Sequence, residues 1–169
     1  ACNSVGRDMA CVRLLAVSKT VGSQAVREAF EAGQQAFGEN YVQEGVAKIK
    51  ALDDLPLEWH MIGPIQSNKT RLVAMHFHWA HSVDRLKVAE RLSQQRPGDL
   101  PPLQVCLQVN IDHGVNKSGV APEHAAELAL KVAALPRLRL RGLMVIPDLA
   151  INKEASRAIL KKAKALFDE

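Results

Sequence analysis

The chain has 169 residues, 47% of them hydrophobic and 4% aromatic, which is enough for one domain with a real buried core. Its net charge of +4 suits anionic small ligands, and the scarcity of aromatic rings on which bases could stack argues against nucleic acid as a partner. No apolar run is long enough to span a bilayer, and Ala1 to Arg7 lack the charged-then-apolar order of a signal peptide.

Leu14-Leu15-Ala16-Val17 is a short continuous apolar run, as expected of a strand covered on both faces. It stops at Ser18-Lys19-Thr20, which places Lys19 at the carboxyl end of a strand, where α/β folds hold their ligands. A lysine partly dehydrated in such a crevice offers a neutral amine that can attack a carbonyl. The alternative is a lysine whose stem lies along the strand end while its head stays in water. Gln24 to Gly33 is predicted to be helical, with Gly33 as its C-terminal stop.

A second strand is predicted over Ala36 to Tyr41 and a helix over Val42 to Leu52, broken by Pro56. Leu57 to Gly63 reads as a third strand, and Ser67 as the N-cap of a helix through Leu72, Val73 and Met75. A fourth strand follows over Phe77 to Val83, with Asp84 capping a helix from Arg85 to Gln95. Pro97-Gly98 and Pro101-Pro102 mark a loop, Leu103 to Ile111 a fifth strand, and Pro122 the first turn of a helix ending at Leu135. Leu138 to Ile146 is the sixth strand, and Lys153 to Asp168 the last helix. Acids and bases alternate along the helices, as in Arg27-Glu28 and Glu44-Lys48, and read as a solvated face.

Strand-first alternation without a long linker calls for a parallel sheet with crossover helices. Six such units fall two short of a closed eightfold barrel. In a parallel sheet the strand ends share one rim, so Lys19, Asn40-Tyr41, Gly63, Asp84, Asn110 and Pro147 should converge although they are scattered in sequence. Asn40 is the most telling of them after Lys19, because it can both donate and accept hydrogen bonds at the strand end itself.

Four further patterns bear on function. Gly63-Pro64-Ile65-Gln66-Ser67-Asn68-Lys69-Thr70 approaches a nucleotide-binding P-loop but has Asn68 where that loop needs glycine, and Pro64 removes an amide donor. A looser contact between helix-terminal amides and an anion stays open. His76, His78 and His81 invite a metal reading, but on a strand His76 and His78 would share one face and His81 the other, with no acid or cysteine completing a ligand set. Cys2, Cys11 and Cys106 are odd in number and lack metal-ligand spacing, which favours a reducing, cytoplasmic setting. In Asn116-Lys117-Ser118-Gly119, Lys117 is either a solvated loop cation or a second amine facing the rim.

Several stretches in this order resemble the pyridoxal phosphate homeostasis proteins (the YggS/PROSC family). They are Leu-Leu-Ala-Val-Ser-Lys-Thr (14–20), Phe-Gly-Glu-Asn-Tyr-Val-Gln-Glu (37–44), Glu-Trp-His-Met-Ile-Gly-Pro-Ile-Gln-Ser-Asn-Lys (58–69), Val-Asn-Ile (109–111), Lys-Ser-Gly (117–119) and Arg-Leu-Arg-Gly-Leu-Met (139–144). The resemblance implies a TIM barrel of the alanine racemase N-terminal type, as a single domain over 1–169 that lacks its last two βα units. It implies pyridoxal 5′-phosphate held as a Schiff base on Lys19, Asn40 beside the ring, and Lys117 as an auxiliary amine. It further implies a monomer that buffers or delivers the cofactor, with apo-enzymes as recipients and without catalytic turnover. The family's Ser-Met-Gly-Met-Ser and Arg-Ile-Gly-Thr motifs, which serve the phosphate and the pyridine nitrogen, do not occur in this sequence, and a second lysine near the first is replaced by Val21. The rival reading is a racemase or decarboxylase using the same lysine, with Tyr41 as acid or base on one ring face. A third is a binding scaffold without cofactor.

Overall fold

Parallel pairing runs unbroken through six strands in the order in which they occur in the chain. The computed structural model describes residues 2–112, 114, 117–147 and 152–169. After two short 3-10 turns, the elements are β1 (Ala16–Val17), α1 (Ser23–Glu31), β2 (Ala36–Glu39), α2 (Val42–Ala51), β3 (Glu58–Met61) and α3 (Thr70–His76). They continue with β4 (Trp79–Val83), α4 (Leu86–Gln95), β5 (Leu103–Gln108), α5 (Pro122–Ala133), β6 (Leu138–Met144) and α6 (Lys153–Asp168). Among the described residues, no helix is long and apolar enough to cross a membrane.

Sequential parallel neighbours joined by helices are the βα units of a barrel wall. The core lies between wall and helices: Phe37, Trp59, Met61, Ala80, Val105 and Leu107 of the strands pack with Val26, Val73, Val88, Leu92 and Val132 of the helices. Arg96 threads this layer from the end of α4. Its Nη1 donates to the carbonyls of Ala74 and Phe77 at 2.7 and 2.8 Å, and its Nε to that of Pro101 at 2.9 Å. These bonds satisfy carbonyls that the short α3 leaves open at its end.

Several local expectations are corrected. The first strand is not covered on both faces: it pairs with β2 alone, and Leu14 and Val17 are 73% and 52% exposed. Ser67 does not cap α3, whose N-cap position is Lys69, and Asp84 does not cap α4, because Arg85 takes that position and pairs with the Asp84 carboxylate instead. His76 belongs to α3 rather than to a strand, and the Nδ1 of His78 accepts the Trp59 N–H at 3.0 Å. The pair Glu44 and Lys48 is not a solvated face, since Lys48 is buried.

Gly33 does end α1. It has φ 97°, its N–H donates to Phe30 O at 2.8 Å, and the N–H of Gln34 donates to Ala29 O at 3.0 Å. This is a Schellman closure around a left-handed residue. Gly33→Ala is expected to cost about 1 kcal/mol of stability, to be read from the urea unfolding midpoint. An unchanged midpoint would mean the turn accepts a side chain.

Candidate functional site

Strand alternation builds the site. Continuing the β1–β2 register, Ala16 opposite Phe37 and Val17 opposite Gly38, sets Ser18 against Glu39 and Lys19 against Asn40. Successive strand residues face opposite sides, so Ser18 and Glu39 turn toward α2 while Lys19 and Asn40 turn toward the barrel interior. There, at the carboxyl ends of the strands, Lys19, Asn40, Gly63, His81, Asn110 and Lys117 line one cavity of about 520 Å³. A volume in this range is typical of sites for small ligands and cofactors.

Lys19 sits in a tight turn. The N–H of Val21 donates to Ser18 O at 3.1 Å, and Thr20 takes the left-handed conformation at φ 63°. Such a backbone is uncommon for threonine and needs support from its surroundings. Glu44 supplies it by accepting the Thr20 N–H at 2.8 Å. Beneath the turn, Lys48 donates to Ser18 O at 2.5 Å, Glu39 Oε1 at 2.8 Å and Glu44 Oε1 at 2.7 Å, so its three ammonium donors are all used. The Ser18 hydroxyl also donates to Glu39 Oε1, at 2.6 Å. Burial works against the charge on Lys48, but the two carboxylates outweigh it and hold its pKa above the ordinary lysine value. The hydrogen bonds from Lys48 and Thr20 lower that of Glu44.

Lys19 itself is exposed at the cavity mouth, not partly dehydrated as the sequence suggested. Lys117 reaches the same cavity with its amine engaged: it donates to Asp112 Oδ2 at 2.6 Å and to Ile146 O at 3.0 Å. Its neighbour Asn116 lies outside the described residues. Asn110 folds back on its own loop, donating to Gly114 O and accepting the Gly114 N–H. Tyr41 is 59% exposed and lines a separate depression with Asn40, Gln66 and Lys69. Thr70, at the hydroxyl position of the P-loop-like stretch, is buried and donates to Ser67 O and Gln95 Oε1.

Two groups escaped the sequence reading. Lys48 was hidden because its i,i+4 pairing with Glu44 looks like any surface pair, and the buried partner, Glu39, belongs to another element. In the sequence, His81 reads as a structural or surface histidine in preference to a metal ligand. The structure puts it on the cavity wall, with its Nε2 2.9 Å from His60 Nδ1. Among the described residues, no group of three or more potential metal ligands comes together.

An exposed primary amine, an amide able to donate and accept, and a second amine on the same wall can together hold a carbonyl compound that also carries polar or anionic groups. A second cavity, about 440 Å³ between α5, β6 and α6, is lined by Ala125, Leu130, Leu140, Leu166 and Phe167 among others and offers no comparable set.

Comparison with known proteins agrees with this architecture. The family model described as "Alanine racemase, N-terminal domain" matches residues 3–169. The pyridoxal phosphate homeostasis protein of Pseudomonas aeruginosa is 58% identical over 99% of this chain, which spans 73% of that relative. That of Escherichia coli is 58% identical over 84% of this chain, a match that spans 62% of the relative's length. Among solved structures, PipY of Synechococcus elongatus with PLP bound superposes with a TM-score of 0.85 at 36% identity, covering 98% of this chain and 77% of that one. An alanine racemase of Clostridium difficile, 12% identical, superposes at a TM-score of 0.77 over 93% of this chain and 42% of its own, and shows the fold alone. With the family model matching nearly end to end and a relative 58% identical over 99% of this chain, the chain belongs to the pyridoxal phosphate homeostasis proteins and is built on the alanine racemase N-terminal barrel.

Proposed function

We propose that this chain binds pyridoxal 5′-phosphate as a Schiff base on Lys19 and serves to buffer or deliver it, with residues 1–169 acting as one barrel unit. The observation that carries the reading is the convergence of Lys19 and Asn40 on one cavity at the strand ends. When bound, the cofactor supplies an aldehyde that condenses with a primary amine and a ring that withdraws electrons.

The chain's own residues do the rest. The turn stabilised by Glu44 and Lys48 presents the Lys19 amine to the cavity, and Asn40 contacts the ring. Lys117, held by Asp112, contributes a cation and an auxiliary amine. The open mouth at Lys19 suits release by a second amine or by water, which a carrier requires and a closed active site prevents. Tyr41, the acid or base that turnover would call on, lines a different depression from Lys19, which supports a carrier without turnover. Recipients are apo-enzymes that use the cofactor, and the exposed free thiol of Cys11 suits a reducing cytoplasm.

The test is titration of the purified chain with pyridoxal 5′-phosphate. The wild type should gain the visible absorbance of a Schiff base, and Lys19→Ala should abolish it without changing the unfolding temperature, because an exposed lysine contributes little to stability. Undiminished absorbance in Lys19→Ala would overturn the assignment.

A further inference from the structure

A line of hydrogen-bonded ionisable groups runs along the barrel interior from the amino end of β3 to the cavity. Arg13 donates to Glu58 Oε1 at 2.9 Å. The same oxygen lies 2.6 Å from His60 Nε2, and His60 Nδ1 lies 2.9 Å from His81 Nε2. His60 is buried and stacks on Trp79 with ring centroids 5.3 Å apart, while His81 meets it edge-on at 5.1 Å. The Glu58 side chain is 30% exposed, so the far end of the line meets solvent.

The contacts and the charges around them favour one placement of the protons. Burial pushes the Glu58 carboxyl upward, but the hydrogen bonds from His60 and Arg13 outweigh it and hold its pKa below the ordinary value. The carboxylate is then an acceptor only, so Nε2 of His60 carries the hydrogen and donates to it. Burial, then the neighbouring His81, pushes His60 down to about 4, so at neutral pH the ring has one hydrogen and its Nδ1 is an acceptor. His81 must therefore donate from Nε2. Its own pKa is also lowered by burial, Glu58 opposing, and its single hydrogen is thus committed to His60. What remains on His81 is an unprotonated Nδ1 lone pair, on a ring that lines the cavity with Lys19.

We propose that His81 is the proton acceptor of this cavity and that Glu58 and His60 form, with it, a proton wire to the opposite rim. The use of the proton rests on the Schiff-base reading of Lys19. The Lys19 ammonium gives one proton to His81 Nδ1, and the freed lone pair of Nζ forms the bond to an aldehyde carbon. The oxygen of that aldehyde leaves as water, taking up one proton returned from His81 and one from the attacking nitrogen. Between these events the charge on His81 is shared by shifting Nε2–H toward His60 and His60 Nε2–H toward Glu58. The other charged or titratable groups around His81 are Lys19 and Lys117 on the cavity wall, Arg141 of β6 over the neighbouring Trp79 at 5.8 Å, and the buried Cys106 thiol of β5. Burial disfavours a resident charge on His81 and Glu58 opposes that effect, so the charge is drawn toward Glu58, while Lys117 is already paired with Asp112.

Two measurements on the full chain test this. Nitrogen NMR of the ligand-free protein should find His81 protonated at Nε2 and bare at Nδ1, and Glu58→Gln should mix the two tautomers, because an amide can present either a donor or an acceptor to His60. A wild-type His81 protonated at Nδ1 would overturn the proposal whatever the cofactor does. With pyridoxal 5′-phosphate as the probe, His81→Gln should slow the rise of Lys19-dependent absorbance at neutral pH by roughly a hundredfold and flatten its dependence on pH. A pH–rate profile identical to wild type would also overturn it. Failure of the wild type to gain absorbance at Lys19 would instead sink the cofactor reading alone, with the tautomer result still deciding the role of His81.

Discussion

Replacing Lys48 with methionine is expected to lower the unfolding free energy by about 3 kcal/mol, the largest loss among the substitutions considered. Methionine fits the apolar stem of the lysine but strands the fully buried Glu39 carboxylate, whose Oε1 then keeps only the Ser18 hydroxyl. Its Oε2 already lacks a hydrogen-bond partner among the described residues. Removing one member of a buried pair costs far more than the pair is worth, because the remaining charge is neither solvated nor compensated. Urea unfolding of Lys48→Met and of the double variant Lys48→Met/Glu39→Gln separates the causes. Neutralising Glu39 should recover part of the loss, and a double variant no more stable than the single one would show that the carboxylate charge is not the source.

The same pair sets an alkaline limit on stability. Lys48 titrates higher in the folded state than its ordinary 10.5, so its contribution is complete below 10.5 and is lost as pH rises through the folded value. Lys48→Met should show no such alkaline loss. Because Lys48 also holds the Ser18 carbonyl and Glu44 holds the Thr20 N–H, the variant should also loosen the turn that carries Lys19. Weaker cofactor binding alongside the fall in stability would distinguish it from Lys19→Ala, which should lose binding alone.

Gly63→Ala is expected to cost about 2 kcal/mol and to weaken cofactor binding without touching a side chain proposed to hold it. A Cβ at this position would stand 2.2 Å from Asn40 O, 2.7 Å from its Cα and 2.8 Å from its carbonyl carbon. These are backbone atoms, so no rotamer change relieves the clash, and the ends of β2 and β3 must part. Asn40 would then shift relative to Lys19. The checks are the unfolding midpoint and the affinity read from the absorbance titration. A variant with wild-type values in both would mean that the close approach relaxes freely.

Much of the architecture was legible before any coordinates. Alternating strand and helix patterns, with Pro and Gly between them, are local signals, and the unit count and parallel arrangement followed from them. So did the convergence of Lys19, Asn40, Gly63 and Asn110, since every strand of a parallel sheet ends on the same rim, whereas Tyr41 and Asp84 line other depressions and Pro147 is not part of the cavity lining. Errors gathered where a residue's surroundings come from elsewhere in the chain. Asp84 and Ser67 have capping chemistry, but the helices start one or two residues later, at Leu86 and Thr70. Val17 has the composition of a doubly covered strand, yet it lies in the strand at one end of the order, with a neighbour on one side only.

By itself, the sequence determined the alternating βα plan and the set of polar residues at the strand ends, because both depend on period and on position within an element. Only the tertiary structure decided that Lys48 is buried under the Lys19 turn, that His60 and His81 join Glu58 to the cavity, and that Gly63 is pressed against Asn40. Those facts depend on which residues meet across 9 to 30 positions of sequence, and the identity of a partner, not the type of the residue, fixes whether a charge is solvated, paired or poised to move a proton.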